Sequence, residues 1–361
     1  MNSAREWLEK IHALQLPGRV RIMHVCGGQE RTLTLSGLRS TLPPSVEIVS
    51  GPGCPTCVCP EEDIYQAMQL ALREQIILAS FSDMLRVPLS TPAGVPGSLA
   101  EAQAAGADIR PIASPLEARM IAEEADRPVV LFGASFETNL APVAAMLLQG
   151  VPRNLSLLLT ARRSWPAVAK LLQAPEPGFE ALIAPGHVAA LMGPEEWAFV
   201  PQGHGMPAAV AAFTATGLLA ATWSVLQQLS EGAARLDNCY QSLVRPGGNA
   251  VARAHLQQVF ELGDADWRSI GRIEMSGFYL REQWAAHDAR RLFSDYRADL
   301  QPGQGRPPRG CDCAQVVLGR IYPNQCRLFG QACNLRQPAG PCMVSEEGAC
   351  RIWIGPGDEA A

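Results

Sequence analysis

Six of the chain's eleven cysteines crowd into one stretch near its C-terminal end: Cys311, Cys313, Cys326, Cys333, Cys342 and Cys350. Gly and Pro residues stand between them (Gly310, Gly319, Pro323, Gly330, Pro338, Gly340, Pro341 and Gly348), so no long helix or strand can run through the stretch. The backbone is suited instead to folding tightly around a compact object. Thiolates at this density suit a soft metal centre, a disulfide, or both. A structural zinc site usually announces itself by C-x2–4-C pairs, and the block has none. Disulfide staples alone are the need of small domains, and 361 residues can build their own core. An iron–sulfur cubane takes four cysteines and leaves two for redox work. The spacing favours this last reading and leaves the other two open.

The composition is that of a globular chain, with 47% hydrophobic and 18% charged residues. A net charge of −5 without a basic stripe argues against a nucleic-acid partner. The N-terminal stretch MNSAREWLEKIHAL is charged and amphipathic and lacks the apolar core of a signal peptide. Met206 to Leu226 is apolar for about a membrane's thickness, but it is rich in Ala, Thr and Gly and has no basic flanks, so it reads as a buried helix. No membrane association is expected. The cytoplasm is the expected compartment, and there eleven cysteines point to metal or redox chemistry.

Taken in order, residues 3–16 read as a helix with Trp7, Leu8, Ile11 and Leu14 on one face. A strand containing Val20 and Ile22 ends at Cys26-Gly27-Gly28, and the position after a strand is where open α/β sheets bind ligands. A second strand (Val46, Ile48, Val49) leads to Gly51-Pro52-Gly53 and the Cys54-Pro55-Thr56-Cys57 pair. That pair reads as a redox dithiol at the start of a helix from Glu61, or as half of a zinc site. Cys59 fits neither. Strands follow at Gln75–Ser80, Ile109–Ile112 and Val129–Phe132, with a helix at Pro115–Glu124 and a possible Asp83–Arg86 salt bridge. Glu137 and His187 each follow a strand, as Cys26 does, which suggests one shared cleft. From about Leu226 the pattern becomes helical, including REQWAAHDARRLF, with WRSIGRIEMSGFYL extended. A Pro/Gly/Arg-rich linker at Pro302–Gly310 leads to the cysteine block. The expected architecture is α/β: two parallel-sheet domains (residues 1–115 and 116–215) around a cleft, plus a C-terminal iron–sulfur domain (216–361) of helices and loops.

The segments MHVCGG (23–28), GPGCPTCVCP (51–60), FSDMLRVP (81–88), SFETNLAP (135–142), PGHVAALMG (185–193), WRSIG…SG (267–277) and GPCMVSEEGAC (340–350) occur in this order along nearly the whole chain. Together they resemble one family, the HypD proteins of nickel–iron hydrogenase maturation. The resemblance implies two α/β domains around a cleft and a third domain with a 4Fe–4S cluster. It implies a HypC-type chaperone as partner and a HypE-type cyanide donor. The cargo is an iron that becomes a transient Fe(CN)2CO unit, to be passed to the hydrogenase. Carried over by residue, it makes Cys26 the iron-holding thiolate and Cys54/Cys57 the redox pair. Cys311, Cys326, Cys333 and Cys350 become the cluster ligands, with Cys313 and Cys342 a disulfide-forming pair beside them. Gly27 and Gly28 would offer amides to the cyanides, and Glu137 and His187 would line the cofactor cleft. On this reading electrons pass from the cluster through Cys313/Cys342 to Cys54/Cys57.

The chain departs from the family pattern in places. Gln29, Glu30 and Arg31 stand where the family has His-Thr-His, which removes two histidines beside Cys26. Residues 212–217, AFTATG, lack the two acids of the family's Gly-Phe-Glu-Pro-x-Asp. Asn238-Cys239-Tyr240 and Gly247-Gly248-Asn249 replace its Asn-Gln-Tyr and Glu-Gly-Asn. A thiol–disulfide oxidoreductase without iron cargo, a paralogue serving another metal centre, and a zinc-stabilised interaction protein are the competing functional readings.

Overall fold

A computed structural model describes residues 3–297 and 310–355; the expected linker at Pro302–Gly310 lies, but for Gly310, outside the described residues. Among the described residues, eleven strands form two sheets. They are β1 (Val20–His24), β2 (Val46–Ser50), β3 (Ile77–Phe81), β4 (Ile109–Ile112), β5 (Val129–Ser135), β6 (Leu155–Arg162), β7 (Ala181–Pro185), β8 (Ala208–Ala211), β9 (Leu236–Asn238), β10 (Phe260–Trp267) and β11 (Gly271–Leu280). The first sheet has the order β2-β1-β7-β8-β9 and is wholly parallel. The second has the order β10-β11-β6-β5-β3-β4.

The central strands are near-continuous apolar runs because helices cover both their faces. Every residue of β5, β7 and β8 is buried. Helices begin where a short polar side chain can take the first free amides: Ser3, Ser98, Ser114, Thr214 and Asn249 each cap one. The helix Ala4–His12 lays Ile11 into the core under the first sheet and stacks Trp7 on Trp223, ring centres 5.1 Å apart.

Several details differ from the sequence expectation. The second sheet is mixed: β10 and β11 form an antiparallel hairpin, and β11 pairs antiparallel with β6. The hairpin turns through Ser269, whose φ of 72° lies in the left-handed region. The strands do not fall into the three consecutive blocks. The first sheet takes β1 and β2 from one end of the chain and β7 to β9 from far downstream, while β3 and β4 belong with β5, β6 and the hairpin. The apolar run from Met206 is not one helix. Residues Ala208–Ala211 pair between β7 and β9, Thr214 then caps, and the helix is Ala215–Glu231. Alanine-rich sequence carries no period that separates a buried strand from a buried helix. REQWAAHDARRLF is a 3-10 turn (Glu282–His287) and a single α-turn (Ala289–Leu292), divided where Asp288 caps the second. Among the described residues no helix is long and apolar enough to cross a membrane.

Candidate functional site

The first sheet creates the site. The chain runs from β1 outward to β2 on one side and returns as β7, β8 and β9 on the other, so β1 and β7 flank the point where the strand order reverses. Loops at the carboxyl ends of parallel strands part there and leave a crevice. Cys26 follows β1, Cys54 follows β2 and His187 follows β7, on three adjacent strands.

Cys26 adopts an extended backbone (φ −161°, ψ 127°) and opens the helix Gly27–Leu35. Its Sγ lies 3.9 Å from Nδ1 of His187, whose ring packs on Phe213. Burial pushes the Cys26 thiol up to about 12; the Gln29 and Gly28 amides pull the other way, while Glu347 adds to the rise. Burial likewise lowers His187 to about 4, so its imidazole is neutral near pH 7. Gly27 is required by close approach: a Cβ there would lie 2.4 Å from Cβ and 2.6 Å from the backbone oxygen of Glu347. The C-terminal block therefore sits directly on the Cys26 turn.

Cys54 and Cys57 form a disulfide, with Cα atoms 5.3 Å apart. They occupy their own short helix, Pro55–Val58, ahead of the helix Glu61–Arg73. The helix Pro341–Val344, which carries Cys342, packs on it. One small cavity is lined by Cys26, Gly27, Cys54, Cys57 and Cys342, together with His24, Glu30 and Glu347.

The six C-terminal cysteines are free thiols; all but Cys326 share one apolar region with Cys54, Cys57, Phe136 and Trp267. Hydrogen bonds from Cys313 and Cys350 hold Cys342 well below the ordinary thiol value, and the same contacts push Cys350 well above it. Cys311 is raised chiefly by its hydrogen bond with Cys313. The Asp312 amide donates to Cys326 Sγ (3.5 Å) and the Ala339 amide to Cys333 Sγ (3.3 Å). A Cβ on Gly340 would lie 2.7 Å from Cys313 Sγ and 3.4 Å from Cys311 Sγ. Among the described residues no three Cys, His, Asp or Glu side chains converge on one point as ligands of a single ion. A cubane spreads its thiolates over different irons and is tuned by N–H groups directed at sulfur. The donor set and its amides fit such a group.

Glu137 stands apart. It is fully buried, its Oε1 accepts from the Ser164 amide (2.7 Å) and hydroxyl (3.1 Å), and it does not line the thiol cavity. Burial pushes its carboxyl up to about 7, and the charge of Glu196 adds to this.

Four polar residues at the site were not among the site candidates read from the sequence. His24 and Glu30, each 1% exposed, line the cavity and bond to each other (Nε2–Oε2 2.7 Å). Burial opposes ionisation of Glu30, but His24 and Arg39 outweigh it and hold its carboxyl at about 2. Asp83 accepts from Thr56 (2.7 Å) and Ser345 (3.2 Å), so it joins the two cysteine-bearing segments rather than pairing with Arg86. Arg86 donates to the carbonyls of Leu335 and Arg336. Glu347 lines both the thiol cavity and the open cleft beside Asp83, and burial raises it to about 7. The signal available in sequence for His24 was its place two residues before Cys26.

Fold and site define an α/β protein with redox-capable thiols gathered at a sheet switch point against a cysteine-rich block. Residues 2–355 match the family described as "HypD: Hydrogenase formation hypA family". The chain is 35% identical to the hydrogenase maturation factor HypD of Azotobacter vinelandii, with 98% of this chain and 94% of that protein covered. It is 36% identical to HypD of Rhodobacter capsulatus (95% and 91% covered) and 36% identical to HypD of Escherichia coli K12 (92% and 88% covered). The chain belongs to the HypD family.

Proposed function

We propose that the chain is a cytoplasmic hydrogenase maturation factor, a redox-active scaffold on which the Fe(CN)2CO unit of a nickel–iron hydrogenase is assembled with a HypC-type chaperone and a HypE-type cyanide donor. One observation carries the reading: Cys26, the Cys54–Cys57 disulfide and Cys342 open onto the same buried cavity. Cys26 thiolate is the ligand for the cargo iron, a soft donor for a soft, low-spin metal. Its high thiol pKa means that metal binding must displace the proton, and the neutral His187 beside it is the nearest acceptor.

Cys342 is the thiolate of the pair, since the Cys350 backbone amide donates to its sulfur at 3.3 Å and Cys313 bonds to it. It attacks one sulfur of the Cys54–Cys57 disulfide, giving a mixed disulfide and one free thiolate. Cys313 then displaces that bond. The products are a Cys313–Cys342 disulfide and a Cys54/Cys57 dithiol; two electrons have moved toward the cargo site, and the two protons follow to the new dithiol. Cys311, Cys326, Cys333 and Cys350 would hold a 4Fe–4S cluster, which would supply one-electron redox chemistry beside the Cys313/Cys342 pair. Iron and sulfide assays after anaerobic reconstitution test the reading: about four of each per chain is the expected result for a cubane. Zinc at one equivalent without iron would contradict it.

A further inference from the structure

His24 ends β1, in register with Ser50 at the end of β2. The Gly51 amide donates to the His24 carbonyl at 2.7 Å, so the loop that leads to Cys54 is tied to this residue. The His24 side chain is 1% exposed and lines the thiol cavity, about 310 Å³, together with Ser50, Cys54 and Cys57. One end of the ring is fixed: Nε2 stands 2.7 Å from Oε2 of Glu30, and Arg39 and Thr34 hold that carboxylate in turn. At the other end Nδ1 is buried without any hydrogen-bond partner. Such an atom is costly to leave unpaired, and a redox role is one reason for it to persist in a native chain.

The thiol pair has a matching gap. Cys54 Sγ accepts from the Cys57 amide at 3.1 Å, whereas among the described residues no hydrogen bond reaches Cys57 Sγ. The other sulfurs on this cavity are engaged, Cys26 with His187 at 3.9 Å and Cys342 with the Cys350 amide at 3.3 Å. A disulfide sulfur has no proton to donate and accepts only weakly. Reduction breaks the Cys54–Cys57 bond and forms a disulfide in the donor dithiol, whose two electrons and two protons pass to Cys54 and Cys57.

We propose that His24 is the hydrogen-bond partner of the reduced Cys54/Cys57 pair, its Nδ1 meeting the Cys57 sulfur once the disulfide opens. The inference rests on the exchange reading above. It holds for either form of the ring. A neutral ring with its proton on Nε2, toward Glu30, accepts from the Cys57 S–H; a protonated ring donates to the Cys57 thiolate. Both contacts form only after reduction, so both favour the dithiol and raise the potential of the pair.

The test equilibrates the anaerobically reconstituted full chain with mixtures of reduced and oxidised dithiothreitol and reads the Cys54–Cys57 peptide by alkylation and mass spectrometry. The unmodified chain is compared with His24→Gln and His24→Asn. A glutamine amide reaches the Nε2 position and keeps the bond to Glu30 but leaves the Nδ1 position empty. An asparagine amide fills the Nδ1 position and gives up Glu30. His24→Gln should need about tenfold more reduced over oxidised dithiothreitol for half-reduction, ~30 mV for a two-electron couple. His24→Asn should stay near the unmodified value. A residue that merely holds Glu30 would give the reverse order. That reverse order, equal shifts in both variants, or no shift in His24→Gln would overturn the inference while the pair remains redox-active. Should His24→Asn not fold, His24→Gln decides alone: a lowered potential supports the inference and an unchanged one overturns it. If the Cys54–Cys57 bond of the unmodified chain is not reduced at any ratio, the exchange reading fails and this inference with it.

Discussion

Trp353 donates its indole N–H to Oε1 of Glu30 at 2.6 Å, across 323 positions of sequence. Arg39 bonds to the same carboxylate and lies over the Trp353 ring, so one buried anion ties the last helix to the helix that begins at Cys26. Removing this donor leaves a buried charge under-satisfied. Trp353→Phe should lower the unfolding free energy by about 1.5–3 kcal/mol, the range for a hydrogen bond to a charged group. Chemical denaturation checks it.

Thiol trapping tests the exchange. In Cys313→Ser, the attack by Cys342 on the Cys54–Cys57 disulfide cannot be resolved from its own partner. A mixed disulfide joining Cys342 to Cys54 or Cys57 should accumulate and be found by mass spectrometry of the alkylated digest. In Cys342→Ser it should be absent, and the Cys54–Cys57 bond should persist after the cysteine block is reduced.

The buried carboxyls give a signed dependence on pH. Glu137 is raised to about 7 by burial, so between its unfolded value, near 4.5, and about 7 the folded chain binds the extra proton. Stability from this group is present at low pH and lost as pH rises through about 7. Glu30 has the opposite sign: its carboxylate is held at about 2, and its contribution is lost as pH falls from 4.5 toward 2. Glu137→Gln should flatten the decline between pH 5 and 7.5 and should stabilise the chain at the upper end by up to about 3 kcal/mol, at about 1.36 kcal/mol per unit. Thermal unfolding across that pH range is the measurement.

The replaced His-Thr-His positions lead to a further prediction. By sequence, Gln29, Glu30 and Arg31 remove two histidines beside Cys26, with His187 expected to line the same cleft. The structure supplies two: His187, within 3.9 Å of Cys26, and His24, on the cavity wall. Gln29 is buried and bonded to the carbonyls of Ala184 and Ala211, while Arg31 is exposed and lines a separate surface pocket. Restoring Gln29→His and Arg31→His together should therefore bring no gain in hydrogenase maturation, in a host lacking its own HypD. His187→Ala should reduce it.

Much of the fold was legible because its signals are local. Strand runs such as Ile109–Ile112 and the helix Pro115–Glu124 carry their own periods and caps. The thiols were legible as chemistry because cysteine clusters need no partner to be noticed. What was not legible depends on distant pairing. Which strands share a sheet follows from how β1 and β7 meet, 159 positions apart at the Met23–Leu182 and neighbouring pairs, and no local pattern records it. Asp83, Glu347 and His24 are ordinary polar residues until Thr56, Ser345 and Glu30 are brought to them. Glu137 illustrates the reverse: its place after a strand suggested the cleft, but β5 lies in the other sheet and its carboxylate caps Ser164.

The central claim is that Cys26 holds the cargo iron while the cysteine block holds the cluster independently. Infrared spectra of the chain purified anaerobically with its HypC-type partner test it most directly, with the unmodified protein and Cys26→Ala side by side and cluster iron assayed in both. The account predicts cyanide and carbon monoxide bands in the unmodified complex and none in Cys26→Ala, at equal cluster iron. Bands that persist in Cys26→Ala would contradict it.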